Sequence, residues 1–325
     1  MSGFPSVRLR RLRENAALRG MLEETRLSRH GLVQPLFVKE GLSRPAAIEP
    51  LPGQFQHSLK SVVEEVKKIE GAGVPAVLLF GIPAKKDPAG KAAFSGSGVI
   101  PRAVAAVKKA CPRTLVITDV CLCEYLSHGH CGHARAGKVL NDASVASLAK
   151  IALAHARAGA DLVAPSDMMD GRVAAIRRIL DAHHFETLPI LSYAVKYASA
   201  LYSPFRHAAE SAPAYGDRKS YQMSPANRRE ALREAACDLE EGADILMVKP
   251  ALGALDIVHE LHRHFQCPLA AYSVSGEYAM IKAASSRGWI EEKEIVLETH
   301  LSMKRAGANI LVTYWAKDLS RWLSR

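Results

Sequence analysis

Three cysteines lie within eleven residues of one another, soon after an apolar run at 115–117: Cys121, Cys123 and Cys131. Zinc binds thiolate sulfur readily, and a site with three cysteines leaves one coordination position free, as catalytic zinc sites do. A closed structural site would take its fourth ligand from a nearby histidine: His128, His130 or His133. The spacing therefore predicts a metal site, with reduced cysteines packed in a loop as the alternative.

Two lysines stand at the ends of apolar runs, Lys196 after 189–193 and Lys249 after 245–248. Burying an ammonium group is costly and lowers its pKa, and a second ammonium nearby lowers it further. An amine that is neutral near pH 7 can attack a ketone and form a Schiff base. The alternative for each lysine is a side chain that forms a salt bridge or reaches the solvent.

Further polar residues follow the predicted strands, at the end where barrel enzymes place their active sites. Hydroxyl groups at these positions could hold a carboxylate, or they could pack against the rim of a barrel. The candidates are Asp119, Ser166, Tyr272, Ser275 and Tyr314.

Eight short apolar runs alternate with amphipathic stretches of helical length. The runs lie at 32–37, 76–80, 115–117, 162–165, 189–193, 245–248, 269–274 and 310–314. Continuous apolar character is typical of strands buried on both faces of a parallel sheet. The alternation predicts an α/β fold, a (β/α)8 TIM barrel, with an open doubly wound sheet as the alternative. No Gly-x-Gly-x-x-Gly motif follows the first strand, which disfavours dinucleotide binding.

Two segments fall outside this alternation. Residues 1–28 are polar and basic, with a helix predicted around 14–25, and we expect an N-terminal arm for oligomerisation ahead of a catalytic barrel at 29–325. Residues 198–224 contain prolines and tyrosines without a clear period, which predicts an active-site lid. Arg206, Arg218 and Gln222 in the lid could capture a carboxylate, although a solvated loop has a similar composition.

Composition limits the classes of function. The chain has 325 residues, 48% hydrophobic and 23% charged, which is ordinary for a globular protein. No apolar run approaches the roughly 20 residues that span a bilayer, and no secretory signal is evident, so we expect a cytoplasmic protein without membrane contact. The formal charge of +10 suits acidic substrates or nucleic acid, but aromatics are only 6%. Nucleic-acid binding is therefore disfavoured.

Six motifs resemble those of the porphobilinogen synthases, also called 5-aminolevulinate dehydratases. They are the cysteine loop at 118–132, Ala-Pro-Ser-Asp-Met-Met-Asp-Gly at 164–171, Ser-Tyr-Ala-Val-Lys-Tyr-Ala-Ser at 192–199, Gly-Asp-Arg-Lys-Ser-Tyr-Gln-Met at 216–223, Met-Val-Lys-Pro at 247–250 and Val-Ser-Gly-Glu-Tyr at 274–278. The match runs from about residue 34 to residue 319. The resemblance implies a lyase that condenses two 5-aminolevulinate molecules into porphobilinogen with loss of two waters, in tetrapyrrole (haem) biosynthesis.

The resemblance also implies roles for the lysines and the cysteines. Lys249 would hold the first substrate as a Schiff base, and Lys196 would form the second Schiff base with the other substrate. Catalytic zinc on Cys121, Cys123 and Cys131 would polarise the second substrate or its bound water as a Lewis acid. Because this role needs the open fourth position, the nearby histidines are interpreted as neighbours rather than ligands.

The remaining candidates match positions that hold or enclose substrate in the family. The lid residues that would clamp the second carboxylate are Arg206, Arg218 and Gln222. The residues that would hold the first carboxylate, with the tyrosine that packs beside them, are Ser275, Tyr314 and Tyr272. Two residues would contact the first substrate's amine and assist proton transfer: Asp119 and Ser166. Two aromatic residues would exclude water: Tyr202 and Phe205.

Family members differ in metal use, and this chain has the three cysteines of the zinc type. Many bacterial members bind a regulatory magnesium between subunits through a glutamate that matches Glu234. The arm resembles the family's arm and implies a homo-octamer built from dimers. One departure is Ser203, where the family usually has glycine, which bears on how the lid folds.

Two other functions compete with this interpretation. A class I aldolase-type lyase would need one lysine and no metal, so the cysteine loop and the second lysine disfavour it. A zinc-stabilised nucleic-acid-binding protein would use the arginines at 8–13, and steep salt dependence of binding would be its signature.

Overall fold

The computed structural model describes residues 3–324, within which eight parallel strands form a barrel. We number the barrel strands β1 to β8: Leu32–Lys39, Ala76–Ile82, Leu115–Val120, Leu162–Pro165, Leu191–Lys196, Ile245–Lys249, Leu269–Tyr272 and Ile310–Val312. Strands β1 to β4 pair in order, and β5 pairs through β6, β7 and β8 back to β1. One bridge, between Val163 of β4 and Ile190 before β5, closes the ring. The predicted TIM barrel is confirmed, and the open sheet is wrong.

All eight predicted strands are present, and all but the fourth have shifted ends. The fifth begins at Leu191 and continues to Lys196, so this lysine is the last residue of the strand rather than part of a following loop. Every residue of β2 and of β5 is buried, because side chains fill the barrel on one face and helices cover the other. The seventh strand ends at Tyr272 instead of residue 274, because a helix begins at Ser275.

Helices cover the outside of the barrel. In residues 3–324 the α-helices are α1 to α11: Ala16–Met21, Leu59–Gly71, Val99–Ala110, Asn141–Arg157, Arg172–Asp181, Ser203–Ala208, Arg229–Glu240, Leu255–His264, Ser275–Ser286, Glu292–Ala306 and Ala316–Leu323. In α2 the buried residues Val62, Val66 and Ile69 recur at helical spacing and face the barrel. None of the helices in this described range has both the length and the apolar character needed to cross a membrane.

The N-terminal segment buries no side chain on its own barrel over residues 3–22. It contains a 3-10 turn at Leu9–Leu12 and helix α1, neither of which has a buried residue. Helix α1 is shorter than the predicted 14–25, because Gly20 and the acidic Glu23 and Glu24 are unfavourable near a helix C-terminus. The most exposed apolar side chains of this segment are Phe4, Leu9, Leu12 and Met21.

The predicted lid, residues 198–224, crosses the carboxyl ends of the strands. It begins with a 3-10 turn at Ala200–Tyr202 and helix α6, where the sequence pattern had suggested only an irregular loop. The remainder is turns and bends that end at Met223, which bridges to Tyr197. The lid therefore leaves and rejoins the fold next to Lys196, and covers the mouth between these points.

Candidate active site

The three cysteines of the loop after β3 converge at the mouth of the barrel. Their sulfur atoms all lie within 4.8 Å of one another, and Cys121 Sγ is 3.3 Å from Cys123 Sγ. All three are buried, and none of the chain's cysteines in the described residues forms a disulfide. Burial and the two neighbouring thiols raise the pKa of Cys121 well above its usual value. A thiolate here needs a cation, and a single zinc ion fits this donor set.

The histidines of this loop are used by other partners. His130 Nε2 donates to the carbonyl oxygen of Tyr215 at 3.0 Å, and its Nδ1 accepts from the Tyr221 hydroxyl at 3.1 Å. His133 Nε2 lies 2.8 Å from the hydroxyl of Ser147, and His128 Nδ1 accepts from the backbone of His130. Both nitrogens of His130 are thus engaged, and it has no free lone pair for a metal ion.

The two lysines end neighbouring strands in register. Lys196 of β5 is paired with Lys249 of β6, and both side chains are at least 95% buried. Burial and the adjacent Lys196 ammonium lower the pKa of Lys249 to about 7. Its Nζ lies over aromatic rings, at 4.4 Å from the Tyr272 centroid and 4.8 Å from that of Phe205. Lys196 Nζ donates to the carbonyl oxygen of Ser166.

Tyr193 belongs to this site, although the sequence did not single it out. Its ring centroid is 5.2 Å from Lys249 Nζ and 5.6 Å from Lys196 Nζ, and its buried hydroxyl has no partner among residues 3–324. In a regular strand, residues three apart face opposite sides. A register shift between Ser192 and Val195 breaks this period, which lets Tyr193 and Lys196 share the interior.

Asp119 and Ser166 lie where the sequence predicted, at the ends of β3 and β4. Asp119 is 8% exposed and its Oδ1 has no hydrogen-bond partner in the described chain. Burial and the nearby carboxylate of Glu124 raise the pKa of Asp119 to about 8. Glu124 is the second residue that sequence reasoning missed: its Oε1 is buried and unpartnered in residues 3–324, and a carboxylate oxygen lies within 4.8 Å of the Asp119 carboxylate and the Cys121 sulfur. Its place directly after Cys123 was the only available signal.

The lid brings its arginines onto the cysteine loop. Arg218 is 4% exposed and donates to the carbonyl oxygens of Gly129 at 2.9 Å and Ser211 at 2.5 Å. Gly129 permits this contact, since a Cβ at its φ of +70° would lie 2.3 Å from the Ala212 carbonyl oxygen. Burial and the proximity of Arg218 lower the pKa of Arg206, so two guanidinium groups are held close together.

Several polar atoms under the lid have no partner within residues 3–324. They include Nε of Arg206, Nε of Arg218, and both side-chain polar atoms of Gln222. Such buried groups are rarely left unpaired, because each lost hydrogen bond costs about 1–3 kcal/mol. Two cationic groups and an amide with free donors form a site suited to an anion such as a carboxylate.

The opposite wall is aromatic. The hydroxyls of Tyr272 and Tyr314 are buried and without partners in the part of the chain described, and their ring centroids are 6.4 Å apart. Phe205 packs on the ring of Phe80 at 5.0 Å, and Tyr202 donates to the carbonyl oxygen of Lys249 at 3.0 Å. The rings of Tyr202, Phe205 and Tyr272 surround the Lys249 ammonium, with centroids 5.3, 4.8 and 4.4 Å from its Nζ.

Ser275 contacts the backbone at the start of the lid. Its hydroxyl accepts from the backbone of Phe205 at 2.9 Å and donates to the carbonyl oxygen of Leu201 at 3.1 Å. In this conformation it fastens the start of the lid. Ser203 has φ of −54° and ψ of −48°, ordinary helical values that serine adopts without strain. The lid therefore does not require glycine at this position.

Glu234 lies apart from the other candidates, on α7. Burial raises its pKa, and it is half-buried near Asp238 and Arg172. No group of three potential ligands within the described residues includes it. The structure thus brings together the lysines, cysteines, lid residues and strand-end residues, and leaves Glu234 outside.

Comparison with known proteins identifies relatives along almost the whole chain. The sequence model of the family described as delta-aminolevulinic acid dehydratase matches residues 6–322. A protein of that name from Halalkalibacterium halodurans is 54% identical over 317 residues, covering 98% of this chain and 97% of that protein. The one from Bacillus subtilis is 51% identical over 317 residues, covering 98% of each chain.

A solved structure has the same fold throughout. Delta-aminolevulinic acid dehydratase (porphobilinogen synthase) from Toxoplasma gondii, in complex with its reaction product porphobilinogen, superposes with a TM-score of 0.95. It is 44% identical in sequence and the match covers 97% of this chain and 91% of that one. The resemblance found in the sequence motifs is confirmed, and this chain belongs to the delta-aminolevulinic acid dehydratase family.

Proposed function

We propose that this chain is a lyase that condenses two 5-aminolevulinate molecules into porphobilinogen, releasing two waters, in tetrapyrrole biosynthesis. The observation that carries the proposal is the pair of buried lysines, in register on neighbouring strands and facing a three-cysteine cluster. An aldolase-type enzyme would use one lysine, and has no need of the cysteines. Membership of the family supports the same reaction.

Lys249 is suited to act as a nucleophile. Its pKa of about 7 leaves half of the amine neutral at neutral pH, which permits attack on a ketone carbonyl and loss of water to give a Schiff base. The surrounding aromatic rings exclude water and so protect the bond from hydrolysis. Lys196 ends the adjacent strand and would form the corresponding bond with the second substrate.

Cys121, Cys123 and Cys131 would hold a zinc ion, since three thiolates and no histidine nitrogen converge there. Bound zinc supplies a Lewis acid that polarises an oxygen ligand. The neighbouring Asp119 and Ser166 would position the first substrate's amine and exchange protons with it.

The substrate carboxylates would be held at two places. Arg206, Arg218 and Gln222 under the lid would take the second carboxylate, since their polar atoms have no internal partners in residues 3–324. The free hydroxyls of Tyr272 and Tyr314 would face the first carboxylate, together with Ser275 once its contact with the lid is released.

The assembly and the regulatory metal are proposed on the family pattern. The exposed leucines of the arm, Leu9 and Leu12, are suited to packing on a second copy, as a homo-octamer requires. Glu234 would take part in a magnesium site between subunits. We propose a cytoplasmic location, in keeping with the reduced cysteines.

The test is conversion of 5-aminolevulinate to a pyrrole that colours with an acidic aldehyde reagent. The purified protein should produce colour, lose it after treatment with a strong zinc chelator, and regain it when zinc is added back. The Cys267→Ser variant, outside the cluster, should behave as the wild type. Colour that persists after zinc is removed would contradict a catalytic role for zinc. Absence of colour in the presence of zinc, magnesium and reducing agent would contradict the proposed reaction.

A further inference from the structure

A cluster of four residues at the rim of the barrel attaches the middle of the lid to the fold: Lys39, Gln56, Lys86 and Glu210. Glu210 follows α6, and its carboxylate pairs with Lys39, the last residue of β1. Gln56, from the short strand Phe55–His57, donates to the same carboxylate at 3.1 Å and to the carbonyl oxygen of Ala208 at 2.8 Å. Lys86, in the loop after β2, donates to the Glu210 carbonyl oxygen.

The backbone conformation at position 210 is one that glutamate rarely adopts. Glu210 has φ of +50°, a left-handed conformation in which glycine is favoured and other residues are uncommon. A glutamate there is less favourable than a glycine, because its Cβ crowds the backbone at positive φ. The carboxylate offsets this cost, because it joins the lid to two other parts of the rim.

The cluster is connected to the substrate-binding side of the lid by one peptide unit. The next residue, Ser211, accepts from Arg218 through its carbonyl oxygen, and its own backbone N–H donates to the Arg206 carbonyl oxygen at 2.9 Å. The Arg218 guanidinium and the backbone of Arg206 are therefore both bonded to the residue that follows Glu210. Both ends of the lid are attached near Lys196, away from this cluster.

We propose that Glu210 is a positioning residue, a latch that holds the lid closed through Lys39, Gln56 and Lys86 and thereby orients Arg206 and Arg218 for a substrate carboxylate. Only the kinetic consequence of this proposal, weaker substrate capture, rests on the proposed function. Loss of the latch shifts the lid toward open states and weakens substrate capture, while the lysines and cysteines remain in place.

The test compares Glu210→Gln and Glu210→Gly with wild type in kinetics and in hydrogen exchange of residues 209–223 without substrate. Both variants should raise KM for 5-aminolevulinate about 3- to 10-fold with kcat within about 2-fold, as loss of a half-exposed ion pair and its hydrogen bonds implies. Exchange in 209–223 should accelerate about 5-fold. High salt should raise the wild-type KM toward that of the variants and change theirs less.

The Glu210→Gly variant separates the effect of the carboxylate from the effect of the backbone conformation. Glycine adopts the positive φ without strain, but it lacks the carboxylate that forms the latch. The paired exchange Lys39→Glu with Glu210→Lys should recover part of the wild-type KM. Glu70→Gln is the matched control, because it removes a similar pair with Arg113 before β3, at the opposite face of the barrel.

Unchanged KM and unchanged lid exchange in both Glu210 variants would overturn the latch. A wild type that makes no porphobilinogen would overturn the proposed function instead, and the exchange measurement would still decide whether Glu210 holds the lid.

Discussion

At the scale of single residues, the pKa of Lys249 is set by the surroundings of its ammonium group rather than by the residue type alone. The ammonium is buried among aromatic rings and beside the ammonium of Lys196, and the opposing effect of Asp119 and Glu124 does not restore its usual pKa. Its pKa is lowered from 10.5 to about 7, so the folded protein releases this proton where an unfolded chain would keep it. Below pH 7 the buried charge destabilises the fold, and this effect disappears as pH rises toward 10.5.

We predict a corresponding pH dependence of Schiff base formation. Levulinic acid, a keto acid without a titrating amine, should be trapped on Lys249 by borohydride with a rate that rises about tenfold per pH unit below 7 and levels off above about pH 8. Mass spectrometry of the modified peptide measures it. A rate that continues to rise through pH 9 would mean that the lysine has its ordinary pKa.

The buried ammonium of Lys249 should also lower the free energy of unfolding. Lys249→Met should abolish trapping at this position and increase the free energy of unfolding at pH 6.5 by about 1–3 kcal/mol, since an apolar chain replaces a buried charge. Lys282→Met, on the exterior, removes a paired lysine and should not stabilise. A destabilised Lys249→Met protein in urea unfolding would contradict the burial argument.

At the scale of elements, helix α9 sets the position where the lid begins. Gly276 in its first turn lies against the backbone of Leu201, and a Cβ there would meet the Leu201 carbonyl oxygen at 2.5 Å and its Cα at 2.6 Å. Ser275 next to it binds the same carbonyl. The start of the lid is therefore fixed by close backbone contact with α9 as well as by its own hydrogen bonds.

Gly276→Ala should therefore displace the lid although alanine favours helices. We expect a loss of about 1–3 kcal/mol in unfolding free energy and a KM increase of at least about 5-fold. The matched control is Gly71→Ala in α2, where nothing lies within 4 Å of the added Cβ, and which should be neutral or stabilising by up to about 1 kcal/mol. Equal behaviour of the two variants would contradict the packing argument.

At the scale of the whole molecule, the arm and the barrel differ in how much of their apolar surface is buried. Helix α1 and the turn before it bury no residue on their own barrel, and their apolar side chains are exposed in the isolated chain. Exposed leucines on a short terminal segment are suited to packing on another copy. Assembly should therefore depend on the arm, and folding of the barrel should not.

Deletion of residues 1–22 should leave a folded barrel with a smaller assembly. Sedimentation velocity should show a species smaller than the wild-type assembly, while far-ultraviolet circular dichroism changes only by the loss of one short helix. Leu9→Asp with Leu12→Asp should act in the same way, and Glu14→Gln, which removes only an exposed pair with Arg10, should not. An unchanged sedimentation coefficient would contradict the role of the arm.

Much of the fold could be predicted from the sequence, because it depends on local patterns. Strands buried on both faces are continuous apolar runs, and all eight were recognisable even though their ends shifted by up to three residues. The cysteine spacing and the two strand-end lysines were also visible, since close spacing and a charge beside an apolar run are local features. Helix α6 was missed, because Pro204 and the surrounding small and aromatic residues do not form an amphipathic period.

The sequence by itself determined which chemistry is available: thiols spaced for one metal ion, two lysines at strand ends, and arginines in a long connection. Only the tertiary structure decided which of these groups meet. The register shift in β5 brings Tyr193 to the lysines, the closing of the ring sets Lys196 beside Ser166, and the lid carries Arg218 to Gly129 from far along the chain. Pairing and burial between distant segments fix these contacts and lower the pKa of Lys249, and no local pattern records them.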